Sequence, residues 1–166
     1  MIQGTEKGFR KPFIETLTEL AEKDPKVVLI IGDVGFRYIE PFKERFPNQF
    51  INVGCLEQTM MGVAAGMARM GWKPYVYTMK NFILIRPLEQ VRNDIAYSQA
   101  NVKLFGVGGS EAYKFLGMSH NLAEGEEKAL LSTLPNLNAY WPTSDENARE
   151  LILKEYDRLG PAYFAI

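Results

Sequence analysis

Cysteine and histidine are nearly missing from this sequence: Cys55 and His120 are the only ones among its 166 residues. A single thiol excludes an intrachain disulfide, and one residue of each kind argues against a zinc site built by this chain alone. An excess of charge is missing as well. The formal net charge is -1, and Lys and Arg alternate with Asp and Glu. Nothing electrostatic therefore calls for nucleic acid or an anionic membrane as partner. No apolar run approaches transmembrane length, and the opening MIQGTEKGFRKPF lacks the apolar core of a signal peptide. These absences predict a cytoplasmic protein. Three motifs are also missing: the P-loop, a G-x-G-x-x-G at a strand-to-helix turn, and G-x-S-x-G. Gly106, Gly108 and Gly109 form only a partial glycine cluster. Nucleotide hydrolases, dinucleotide dehydrogenases and serine hydrolases all lose weight.

What remains has an ordinary globular composition, 46% apolar and 23% charged, enough for one domain over 1–166. Residues 9 to 23 place Phe13, Ile14, Leu17 and Leu20 at helical spacing. VVLIIGDVG, from Val27, is a continuous apolar run of the kind found in strands covered on both faces. It leaves Asp33 at a strand's carboxyl end. A short helix over 37–46 and a strand from Phe50 to Val53 follow. Further strands are predicted at Pro74–Met79, Val102–Val107, Leu137–Trp141 and Ala162–Ile166. Helices are predicted from about Leu56 to Met70, over Arg86–Gln99, near 123–133, and from an N-cap at Ser144 to about Leu159. Residues 108 to 122 read as a long loop. Such alternation implies a three-layer α/β/α fold with a mostly parallel sheet of about six strands. Ligands bind such sheets outside the carboxyl ends of the strands.

The stretch FINVGCLEQTMMGVAAGMARMGWKPYVYTM, residues 50 to 79, carries the densest signal. Its helix puts Leu56, Met60, Val63, Met67 and Met70 on one stripe, and Gly62, Ala64, Ala65, Gly66 and Ala68 thin the other faces. A helix apolar nearly all round reads as a buried one, and Gly71 as its C-cap. One carboxylate, Glu57, stands at its start. It is either a first-turn glutamate interacting with the helix dipole or a carboxylate in a partly apolar cleft that shares a proton with a ligand. Phe82 is a core aromatic or a platform for a planar ring. His120 is a solvated loop residue or a proton-transfer group. Asp33 is a turn residue or a ligand contact. Arg37 and Arg86 are solvated cations or hold a substrate phosphate or carboxylate. Cys55 reads as a small buried filler.

With these residues in view, the chain resembles the pyrimidine-binding domain of the transketolase family of thiamine diphosphate enzymes over essentially its whole length. FINVGCLEQTMMGVAAGMARMG is similar to the family's phenylalanine-x-asparagine-x-glycine, Glu-Gln and small-residue helix. RPLEQVRNDIAYSQANVKLFGVGG, SHNLAE, PNLNAYWPTSDENA and GPAYFAI are similar to its later segments, in the same order. The resemblance implies roles. Glu57 matches the glutamate that bonds a ring nitrogen of the cofactor's aminopyrimidine and so assists formation of the thiazolium ylide. Phe82 matches the aromatic stacked on that ring, Asp33 an aspartate near the cofactor, and His120 a histidine facing the substrate.

Other family features have no match here. The diphosphate-binding domain, with its Gly-Asp-Gly segment and later asparagine that bind Mg2+, is absent, as is the third domain. The resemblance therefore implies a diphosphate-binding partner subunit that supplies the magnesium site. Gly108 and Leu116 stand where transketolase has polar residues that read sugar hydroxyls, which puts ordinary pentose-phosphate specificity in doubt. The implied function is the pyrimidine-binding subunit of a split, transketolase-like enzyme that makes or breaks a carbon–carbon bond beside a carbonyl, by ketol or acyl transfer. Two alternatives stand beside it: a subunit of a two-subunit 2-oxo-acid decarboxylase or dehydrogenase component, and a non-catalytic α/β interaction module. The apolar helix also predicts a homodimer or heterotetramer.

Overall fold

The computed structural model describes residues 8–108 and 114–166. Helix α1 (Arg10–Lys23) leads into β1 (Val27–Ile31), then α2 (Glu40–Arg45), β2 (Phe50–Asn52), α3 (Glu57–Arg69) and β3 (Lys73–Met79). After β3 comes the short α4 (Lys80–Leu84), then one helical turn, α5 (Leu88–Gln90), that runs on as a π-helix over Val91–Tyr97. Strand β4 (Lys103–Val107), α6 (Glu126–Ser132), β5 (Asn138–Tyr140), α7 (Asp145–Asp157) and β6 (Ala162–Ala165) complete the fold. The sheet has six strands in the order β2-β1-β3-β4-β6-β5. Every neighbouring pair is parallel. Part of the predicted long loop, residues 109–113 with Gly109, lies outside the described residues.

The four inner strands, β1, β3, β4 and β6, are buried on both faces, and alternate residues feed two cores. Val28, Ile30, Val76 and Leu104 pack with Met60, Met61, Ala64 and Ala65 of α3 and with Val91 and Ile95. Val27, Leu29, Ile31, Tyr75, Tyr77 and Phe105 pack on the other side with Phe13 and Leu17 of α1 and Ile152 of α7. The second core is aromatic: Phe105 stacks on Phe164 with 4.5 Å between ring centroids and on Phe13 with 4.1 Å. Two sequence signals act as expected. Ser144 Oγ accepts from the Asn147 amide at 3.1 Å, capping α7. Gly71 ends α3 with φ +82, a conformation that penalises a Cβ.

Three expectations need correction. First, α3 is not buried all round. Its buried face is Glu57, Met60, Met61, Ala64 and Ala65, whereas Leu56, Val63 and Met70 of the predicted stripe are exposed. The sheet can cover only one side of a helix, and here it covers Met60, Met61, Ala64 and Ala65 while Gly62 and Gly66 face outward. Second, Cys55 is exposed, not a buried filler, because it sits in the turn before α3 and not in a packed layer. Third, the segment after β3 begins with α4 and turns π-helical over Val91–Tyr97. Wide π-turns concentrate near functional sites.

Away from the strand ends that face the site, a buried polar cluster closes the other edge. Lys103, at the start of β4, donates to Gly160 O at 2.6 Å, Arg158 O at 3.1 Å and Glu155 at 3.4 Å. Burial pulls its ammonium down to about 8, against the opposing pull of Glu155.

Candidate active site

The chain leaves β1 to form β2 on one side and returns to form β3 on the other. The carboxyl ends of β1 and β3 therefore flank the point where strand order reverses, the preferred ligand crevice of such sheets. Asp33 follows the end of β1, Glu57 opens α3 after β2, and Phe82 lies in α4 directly after β3. Asn52 ties the turns after β1 and β2 together. Its Oδ1 accepts from the amides of Asp33 at 3.2 Å and Gly54 at 2.9 Å. Its Nδ2 donates to Asp33 Oδ1 at 3.2 Å. Sequence reasoning passed over Asn52, although its motif position was visible.

Glu57 is held in the wall of the site. Its side chain is 6% exposed because the first turn of α3 docks against the sheet. Arg86 reaches it across the turn from α4, and Arg86 Nη1 donates to Glu57 Oε1 at 2.8 Å. The same guanidinium lies over the ring of Phe82, with Cζ 3.6 Å from the ring centroid. Phe82 is buried, and Arg86 covers this face of its ring. On its other flank stands His120, edge-on, with 5.1 Å between ring centroids. His120 Nδ1 is 2.7 Å from Ser119 Oγ, and Asn81 Nδ2 donates to Ser119 O at 2.7 Å. Asn81 thus anchors the His120 segment to α4, a second role that the sequence left unassigned.

Two hollows lie beside these residues, each of about 340 Å³. One is lined by Cys55, Leu56, Glu57, Gln58, Thr59 and Arg86. The other includes Asp33, Tyr77, Met79, Leu116 and His120. Phe82 touches both Arg86 and His120 and so links the two. The fold thereby gathers Glu57, Phe82, Arg86, His120 and Asp33. It does not bring Arg37 to them: Arg37 lines a separate groove with α1 residues and Asp145, Glu146 and Arg149. Among the described residues, no group of three or more His, Cys, Asp or Glu side chains is placed to hold a metal ion. Among the same residues, no helix is long and apolar enough to cross a membrane. The chemistry available is a buried carboxylate facing a planar partner, an aromatic floor, and an imidazole at the rim.

Residues 6–166 match the family model described as transketolase, pyrimidine binding domain. An apulose-4-phosphate transketolase component of Phocaeicola vulgatus is 37% identical over 95% of this chain and 50% of its own length. A putative transketolase C-terminal section of Methanocaldococcus jannaschii is 32% identical over 98% of this chain and 51% of its own. A solved split gene transketolase, described as an inactive beta4 tetramer, superposes with a TM-score of 0.83 at 31% identity, over 95% of this chain and 50% of that one. The chain thus spans about half the length of these relatives. The superposition of the fold and a family match over nearly every residue agree: the chain belongs to the transketolase family and is built as its pyrimidine-binding domain.

Proposed function

We propose that this chain is the pyrimidine-binding part of a split, transketolase-like thiamine diphosphate enzyme that transfers a ketol or acyl unit between carbonyl compounds. The observation that carries the reading is the Glu57–Phe82 pair, which already holds a planar N–H donor, the Arg86 guanidinium, between an aromatic face and a carboxylate. An aminopyrimidine offers the same two features, a flat face and ring-edge nitrogens, so the residues fit the group. When bound, the cofactor supplies the electron-accepting ring at which the carbon–carbon bond is made or broken. Glu57 holds a proton at a ring nitrogen, Phe82 fixes the ring plane, and Asp33 with Asn52 sets the neighbouring turn. His120, steadied by Ser119, moves protons on substrate oxygens.

The sequence has no match to the family's Gly-Asp-Gly segment and later asparagine. We assign the diphosphate and Mg2+ ligands to a diphosphate-binding partner subunit, and activity to the complex, a reading supported by the split-gene description of the solved relative. The exposed apolar side of α3, with Leu56, Val63 and Met70, is the surface on which we expect assembly into a homodimer or heterotetramer. The sugar-phosphate name of the relative from Phocaeicola vulgatus supports a ketose phosphate as donor. With Leu116 in the second hollow, the site reads fewer hydroxyls than a pentose-phosphate transketolase.

The test is the Glu57→Gln variant in the complex with a diphosphate-binding partner. Turnover should fall about a hundredfold or more, the scale of a lost proton-transfer group. Near-normal turnover would sink the assignment. A complex that never binds thiamine diphosphate would favour a non-catalytic module instead.

A further inference from the structure

We infer that Arg86 is an internal occupant of the pyrimidine seat: its guanidinium fills the place between Phe82 and Glu57, and cofactor loading requires it to swing out. The inference rests on the reading of the site given above and adds a competitor within it. Three observations carry it. The contacts of Arg86 are those an amidine-like ring edge would make, a planar face 3.6 Å from the Phe82 centroid and a donor 2.8 Å from Glu57 Oε1. Both partners are almost fully buried, Glu57 at 5% and Phe82 at 6% exposure, so a ring seated on the surface that Arg86 covers would displace the guanidinium. The two partners of the ion pair also differ in freedom: the Glu57 side chain is 6% exposed and that of Arg86 is 45% exposed.

The arrangement solves a physical problem. A carboxylate buried at a helix start costs free energy when nothing pairs it. Arg86 pairs Glu57 while the ring is away, and its planar cation stacks on an aromatic face where a lysine ammonium would not. The segment stays anchored as the side chain moves. The Arg86 amide donates to Asn81 O at 3.4 Å, and Gln58 Nε2 donates to Arg86 O at 3.4 Å. Only side-chain torsions need to change. The apparent affinity for the ring is then reduced by the fraction of molecules in which the seat is open. The site selects for planar groups with an N–H or protonated ring edge, and rejects those that cannot replace the contact to Glu57.

The experiment has two arms. In the complex with the partner subunit, thiamine diphosphate is titrated calorimetrically into wild type, Arg86→Ala and Arg86→Lys. Removing a charge-assisted hydrogen bond and a cation–π contact from the competing state should tighten binding roughly tenfold in Arg86→Ala. Arg86→Lys should fall between the two. Equal or weaker binding by Arg86→Ala, with wild type binding normally, overturns the inference and leaves the proposed function intact. No binding by either protein overturns both.

The second arm uses the chain alone and needs no cofactor. In Arg86→Ala, N-ethylguanidine at millimolar concentration should raise Tm in a saturable way by refilling the seat. Wild type and the Arg86→Ala/Glu57→Leu double variant, which lacks an acceptor for the guanidinium, should show no saturable rise. The same response in all three proteins overturns the inference, as does none in Arg86→Ala.

Discussion

Glu155 and Glu57 are both buried glutamates paired with a cation, yet Glu155 is enclosed by donors while Glu57 leans on an arginine that is half in solvent. Glu155 Oε1 accepts from Tyr140 at 2.7 Å, Arg158 at 2.9 Å and Asn138 at 3.1 Å. Its Oε2 accepts from Arg158 at 2.8 Å and Lys103 at 3.4 Å. Among the described residues, the donor to Glu57 is Arg86. The first arrangement lies where α7 ends and β4 begins, the second where β2 gives way to α3. One end of the sheet thus holds a closed network and the other a carboxylate with one exchangeable partner. Under the proposed function, the difference separates a charge that holds structure from a charge that receives a ligand. A fully satisfied network gains nothing from a newcomer, whereas a singly paired carboxylate can trade its partner.

The same substitution at both glutamates should break this comparison into opposite halves. Glu57→Gln should remove most turnover of the complex while costing the isolated chain only about 1 kcal/mol in urea unfolding, since the amide oxygen still accepts from Arg86. Glu155→Gln should cost about 3–5 kcal/mol by the same measurement, because Lys103 and Arg158 are left facing an uncharged group inside the protein. Equal stability losses would mean that the two sites do not differ in kind.

A smaller loss is expected near the carboxyl end of β4. A Cβ at Gly106 would lie 2.5 Å from Tyr163 Oη and 3.0 Å from Lys80 Cγ. Tyr163 is fixed by its 2.6 Å bond to Glu127 and cannot retreat freely. Gly106→Ala should therefore destabilise by about 1–3 kcal/mol through overpacking, measurable as a lower urea midpoint with an unchanged slope.

The smallest effect is the pH dependence of the closed network. Burial pushes the Glu155 carboxyl up, but hydrogen bonds from Tyr140, Asn138 and Arg158, with the Lys103 charge, bring it below its ordinary value of 4.5. The unfolded chain then binds the proton first as pH falls. The contribution of Glu155 to stability is present above pH 4.5 and is lost as pH drops through its lower folded value. Wild type should lose stability over that window, and Glu155→Gln should show a shallower loss. An identical acid profile in the two proteins would remove Glu155 from the account.

Much of the architecture was readable from residue order. VVLII is too apolar for a one-sided strand, and its alternate residues do feed both cores. Ser144 and Gly71 marked helix ends through local chemistry, which needs no partner to be recognised. The site was readable in part. Asp33 stood out at a strand end, Glu57 at a helix start, Phe82 just after a strand and His120 in a long loop, and the roles proposed for them come from the family resemblance. Arg37 matched them in type but lines a different groove, because an arginine in a turn carries no signal of direction. The buried face of α3 was misjudged for a related reason. Its residues are apolar or small on nearly every side, so periodicity could not choose the side the sheet would cover.

By itself the sequence determined the order of strands and helices, the parallel sheet and the presence of one carboxylate at the start of α3. Those follow from local spacing, capping and the short links between consecutive elements. Only the tertiary structure decided that Arg86, distant in sequence, closes over Phe82 onto Glu57, and that Asn52 and Asn81 hold the surrounding turns. Such contacts depend on where three strand ends meet and on which way long side chains turn there. Residue type alone leaves both open.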